Sequence, residues 1–215
     1  MSGDRSIDGW LAGLGFALPA VRAKARAVLE EAGLTRPGKQ RMSEQKLSRA
    51  AQVLSERFAL HCSTAECEAY ARQSGREPIR CDPKRACERC GGSDNRRAEV
   101  ELLEACQKRG VRRLVVVGGS PSVREELVRA LGTALELRMV DGTERRTSDR
   151  AKSDVEWADL VLVWGASELH HKVSWLYTQV PPPMRKKVVH VAKRGVAALL
   201  AAAVEHLRRT DREPS

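Results

Sequence analysis

The chain has 215 residues, with 38 lysines and arginines against 28 aspartates and glutamates, a formal net charge of +10. That length allows one good core or two small domains, and the basic balance favours anionic partners such as nucleic acid, nucleotides or acidic lipid. The longest apolar run, residues 195–204, falls well short of the roughly 20 residues of a membrane span. Asp4 and Asp8 also argue against a secretory leader. The expectation is therefore a cytoplasmic protein with reduced cysteines and no membrane association.

Residues 1–60 predict a basic helical segment. Ile7, Trp10, Leu11 and Leu14 recur at helical spacing behind Ser6 or Asp8 as a cap. Pro19 opens a second helix that Gly33 ends. A basic loop carrying Arg36, Lys39 and Arg41 is kept out of helix by Pro37 and Gly38. A third helix spans about 43–58, with Leu47, Ala50, Leu54 and Phe58 on one face. The order is loosely that of a helix-turn-helix, in which Arg36, Lys39 and Arg41 would meet phosphates. Amphipathic helices with solvated basic faces are the commoner meaning of such a pattern.

Residues 61–97 predict a small zinc module. Five of the six cysteines fall here, spaced C-x4-C-x13-C-x5-C-x2-C: Cys62, Cys67, Cys81, Cys87 and Cys90. Cys87 and Cys90 form a knuckle before Gly91 and Gly92, where glycine lets the chain turn so that two thiolates face one ion. A tetrahedral zinc needs four ligands, so four of the five cysteines serve. Cys67, Cys87 and Cys90 are the surest, and Cys62 and Cys81 compete for the last place. Two short strands, 68–73 and 77–80, joined at Ser74-Gly75 would set Cys67 beside Cys81. An all-cysteine site is closed to water and so structural. Lys84, Arg85 and Arg89 around it would offset thiolate charge or contact phosphates. Cys106 falls within a helical apolar pattern and reads as core.

Residues 98–208 predict an α/β domain, and 209–215 a disordered tail. Apolar strands near 114–119, 136–140, 159–164 and 187–192 alternate with helices, which implies a parallel sheet with crossover connections. Ligands of such sheets sit beyond the carboxyl ends of the strands. There the sequence places Gly118, Gly119 and Ser120 at a helix start, Asp141, Gly142 and Thr143 after the second strand, and His170 and His171 after the third. Glycines and free amides suit an anion there, although a tight turn with a serine cap needs the same residues. Asp159, ahead of its strand, belongs at the opposite end.

The stretches VVVGGSPSVREEL, MVDGTERR, WADLVLVWGASELHHKVSWL and KKVVHVAKRGVAAL resemble the Rossmann-like domain of unknown function 2325. The likeness covers about 113–207. Val140 stands where that family carries a histidine before Asp-Gly, and its Ser-His pair is spread over Ser167 to His170. The resemblance implies the fold and a rim site at Gly118, Gly119, Asp141, Gly142 and His170 or His171, with no established activity.

The whole predicts an α/β protein with a helical front, a Cys-rich zinc module and a four-stranded parallel sheet flanked by helices. The expected function is non-enzymatic: a zinc-stabilised, nucleic-acid-associated or regulatory protein acting through basic residues. Two alternatives stand beside it. One is a sensor that takes a nucleotide or another anionic small ligand at the sheet rim; a protein partner on the α/β domain belongs to the first reading. The other is a hydrolase using Asp141 with His170 or His171.

Overall fold

The computed structural model describes residues 3–210. The chain is a mixed α/β protein divided into two compact units, Met1–Ser93 and Asp94–Ser215. The helical front and the cysteine segment, separated at residue 60 on sequence grounds, thus fall in one unit.

The front unit begins with strand β1 (Asp4–Ser6) and helix α1 (Ile7–Gly13), whose N-cap Ser6 accepts a hydrogen bond from the Gly9 amide. Helix α2 (Pro19–Glu31) carries proline at its first position, as expected. Strand β2 (Arg41–Ser43) pairs antiparallel with β1 and leads into helix α3 (Glu44–Arg57). Residues 32–43, including β2, therefore separate α2 from α3. A helix-turn-helix needs a turn of about three or four residues there, and this connection excludes it. Ile7, Leu11, Leu29, Met42, Leu54, Phe58 and Ile79 close the core of this unit.

Next comes a small crossover. Strand β3 (Phe58–His61) runs parallel to β4 (Glu77–Arg80), with helix α4 (Ala65–Gln73) between them. The hairpin expected over 68–80 is thereby corrected. Its first arm is helical because Ala65, Glu66, Glu68, Ala69, Ala71, Arg72 and Gln73 are mostly good helix formers. Two acidic residues lie in its first turn and Arg72 in its last, and Cys67 and Ala71 share the buried face. Gly75, at φ 73°, turns the chain back into β4.

The second unit opens with α5 (Asp94–Arg109) and holds four parallel strands: β5 (Arg113–Val117), β6 (Glu136–Val140), β7 (Leu160–Trp164) and β8 (Val188–Val191). Their order is β6-β5-β7-β8. Between them run α6 (Pro121–Leu131), α7 (Ser148–Trp157), α8 (His171–Thr178) and the short α9 (Pro182–Arg185), and α10 (Val196–Arg209) closes the unit. Alternate strand residues feed two cores. Leu114, Val116, Leu160, Leu162 and Trp164 pack with α5, α6 and α10. Val115, Val117, Val161 and Val163 pack with α7 and α8 on the other face. The crossing direction reverses between β5–β6 and β6–β7, and the connecting helix changes face with it, as a constant hand requires. Asp159 accepts from the Arg112 and Arg113 amides at the amino end of β5. Arg209 and Thr210, expected in a tail, end and cap α10, and residues 211–215 lie outside those described. Among the described residues, no helix is long and apolar enough to cross a membrane.

Candidate functional site

Four of the five clustered cysteines converge. Cys62 follows β3, Cys67 lies in the first turn of α4, and Cys87 and Cys90 flank the turn after a single 3-10 turn at Lys84–Ala86. All four are buried, and their sulfurs lie within 4.8 Å of one another. Cys62 Sγ is 3.6 Å from Cys90 Sγ, and all six cysteines are free thiols. The spacing is far beyond the ~2.05 Å of a disulfide. It suits four ligands around a single ion.

The local fold explains the convergence. In the knuckle, the Gly91 amide donates to the Cys87 carbonyl at 2.9 Å and the Ser93 amide to that of Cys90 at 3.0 Å. Gly92 sits at φ 77°, where a Cβ would come within 3.0 Å of the backbone at Lys84 and Arg85. Glu88 docks the knuckle on the free edge of β3. Its amide donates to the Leu60 carbonyl, and its carboxylate accepts from the Leu60 amide at 3.1 Å. Arg76 holds Glu88 at 2.6 Å and also donates to the Ser55 and Phe58 carbonyls. Neither residue carries a sequence signal, because both act only once β3 and the knuckle are adjacent.

Cys81 is the one candidate thiol left outside the four-sulfur group. It follows β4, where its amide donates to the His61 carbonyl at 2.8 Å. Its side chain packs beside the other cysteines and is buried. Burial, with the neighbouring thiolates of Cys87 and Cys62, pushes its thiol up to about 12. Cys62 behaves differently. Burial pushes it up, but hydrogen bonds from the Thr64 side chain and backbone outweigh that and hold it at about 6. Cys67 and Cys90 are raised, chiefly by burial. Thiols this close cannot all ionise alone, and a bound cation is what would let them. His61 turns away: its Nδ1 lies 2.7 Å from the Cys62 carbonyl oxygen.

The strand rim is largely self-satisfied. Gly118 and Gly119 take φ values of 103° and 84°, and Ser167 fills the crevice beside them. A Cβ on Gly118 would meet Ser167 Oγ at 2.6 Å, and the Gly119 amide already donates to that oxygen at 2.9 Å. Ser120 Oγ contacts Ser122 Oγ at 3.2 Å. Asp141 accepts from the Thr143 amide and hydroxyl at 2.8 and 2.7 Å and from Arg124 at 2.6 Å. Those bonds hold its carboxyl at about 2. Gly142 lies under residues 168–169, and its carbonyl accepts the His170 amide. Among the described residues no hydrogen bond joins Asp141 to His170 or His171. Thr143, His170 and His171 instead line a separate groove with Arg145, Arg146, Lys172 and Trp175.

The predicted phosphate contacts divide. Arg36, Lys39, Lys84 and Arg85 are exposed, and none has a carboxylate partner among the described residues. Arg41 donates to the Asp4 carbonyl. Arg89 donates to the Glu66 carbonyl and lies over the Tyr70 ring.

No protein-family model matches the chain, and no curated protein or solved structure matches it significantly.

Proposed function

We propose that the chain is a zinc-stapled, non-enzymatic protein that associates with nucleic acid through a basic surface on its front unit. The carrying observation is that Arg36, Lys39, Lys84 and Arg85 stand exposed, without carboxylate partners among the described residues, on the same unit as the four-cysteine centre. Cations already paired gain little from a phosphate. Unpaired ones can release counterions from a nucleic-acid backbone. The tight bonding around Asp141 removes support from a hydrolytic role. The glycine-ended β5 and the Asp-Gly after β6 keep the sheet unit in our reading as a divergent relative of the domain of unknown function 2325.

Zinc is the metal we assign to the centre. Buried thiolates are soft ligands that suit zinc. Zinc–sulfur bonds of about 2.3 Å set tetrahedral sulfurs roughly 3.8 Å apart. The Cys62–Cys90 spacing of 3.6 Å agrees with that. Four protein sulfurs leave no position for water, so the ion would join β3, α4 and the knuckle without taking part in a reaction.

The test is binding of duplex DNA, single-stranded DNA and RNA by the whole metal-loaded chain across a salt series. The proposal expects affinity that falls steeply with salt. The combined change Arg36→Glu, Lys39→Glu, Lys84→Glu and Arg85→Glu should flatten that slope. Absence of salt-dependent binding at low ionic strength would overturn it.

A further inference from the structure

We propose that the groove between the segment leaving β6 and helix α8 binds a nucleoside phosphate, its base on Trp175 and its phosphates on Arg145, Arg146 and Lys172. The site lies in the sheet unit and uses none of the residues behind the nucleic-acid proposal, so either can fail alone.

The groove has a volume of about 970 Å³, the size of a small-ligand site. It follows the carboxyl ends of β6 and β7, where ligands of parallel sheets sit. Its charge is arranged from beneath. Asp154, 3% exposed, accepts from Arg138 at 3.4 Å, from Tyr177 Oη at 2.7 Å, and from Arg146. One buried carboxylate thus faces two guanidinium groups and leaves a positive charge unmatched. Arg138 lies over the Trp157 ring, 4.0 Å from its centroid, which leaves Arg146 turned to the groove. The Arg146 Nε is buried with no hydrogen-bond partner. A partly buried, under-neutralised guanidinium favours an incoming anion.

The groove wall adds to this. Arg145 and Lys172 are exposed and lack carboxylate partners among the described residues, and Lys172 stands in the first turn of α8, at the positive end of its dipole. Glu144 is the acidic side chain on the lining, and it offsets part of this charge. Trp175, 52% exposed, lies one turn beyond His171 on α8. Its indole is an unfilled stacking surface next to cations. Cations alone fit any anion. Cations with an open indole fit an anion that carries a planar base.

The metal-loaded full chain is titrated with ATP, AMP, adenosine and inorganic phosphate, followed by calorimetry and tryptophan fluorescence. ATP and AMP should bind and quench Trp175, with adenosine and phosphate each at least about tenfold weaker. Arg145→Gln with Lys172→Gln should weaken ATP at least about tenfold. Trp175→Ala should weaken AMP about fivefold or more and leave inorganic phosphate unchanged. All three side chains are exposed or on the groove wall, and thermal melts confirm that each variant is folded. Should a variant melt early, Lys172→Gln or Trp175→Phe alone replaces it. The proposal is overturned if no nucleoside phosphate binds at millimolar concentration. It is equally overturned if phosphate alone matches AMP, if only oligonucleotides bind, or if folded variants keep full affinity.

Discussion

Cys62 and Cys81 sit at the same end of two neighbouring parallel strands, yet only Cys62 joins the sulfur group. The difference is one helix. Because 65–73 is helical, Cys67 points back from the first turn of α4 to Cys62, and the apparent symmetry between Cys67 and Cys81 about Ser74-Gly75 disappears. Cys87 and Cys90 were legible from the sequence because a two-residue gap before glycine brings its own thiols together. The choice between Cys62 and Cys81 depends on β3 pairing with β4, which no local pattern encodes. Cys81→Ser should therefore leave metal content unchanged, while Cys62→Ser should reduce it, as measured by elemental analysis. At Asp141 the prediction concerns acid. Its folded carboxyl is held at about 2, below the usual value of 3.8. Its contribution is therefore present above pH 4 and is lost as pH falls from about 4 to 2. Asp141→Asn should lower the melting midpoint at neutral pH, by the loss of about 1–3 kcal/mol, and should flatten the stability change across that acid window. A wild-type profile that is already flat between pH 4 and 2 would contradict this.

Among the elements, the knuckle depends on an edge of β3 that β4 leaves free. Glu88 supplies both bonds to Leu60, and Arg76 fixes Glu88. Groups that orient metal ligands typically contribute about 10–100-fold in affinity. Glu88→Ala should weaken metal binding by that order in a competition titration with a chelator, without removing a ligand. Strands β5 and β7 were legible because runs of valine and leucine that end at glycine have few other outcomes in a chain this long. Strands β1 and β2 were not: they are three residues each, with sequences Asp-Arg-Ser and Arg-Met-Ser, and only Met42 is buried. At the β5 turn the glycine is required by space as well as by φ. Gly118→Ala should cost about 1–3 kcal/mol from backbone strain alone. Removing the clash with Ser167→Ala should restore only part of that loss in a denaturant titration.

Across the molecule, architecture separates by unit while the basic excess is shared between them. The basic composition favours an anionic partner but does not tell which cations stand unengaged. Arg41 and Arg89 looked equivalent to Arg36 and Lys84 and are instead engaged by backbone carbonyls and an aromatic ring. Arg146 carried no signal in the sequence, since the groove exists only when the segment after β6 meets α8. The division at residue 93 also predicts a split response to metal removal. Chelation should raise hydrogen exchange across β3, α4 and the knuckle, while the protection of β5 and β7 persists. The most direct measurement is the metal content of the purified chain, taken together with Cys87→Ser and Cys81→Ser. The account predicts about one zinc per chain in the parent and in Cys81→Ser, with loss of zinc and of front-unit protection in Cys87→Ser. A parent chain that remains folded and protected at residues 58–93 after complete chelation, or a Cys81→Ser protein that loses its zinc, would contradict it.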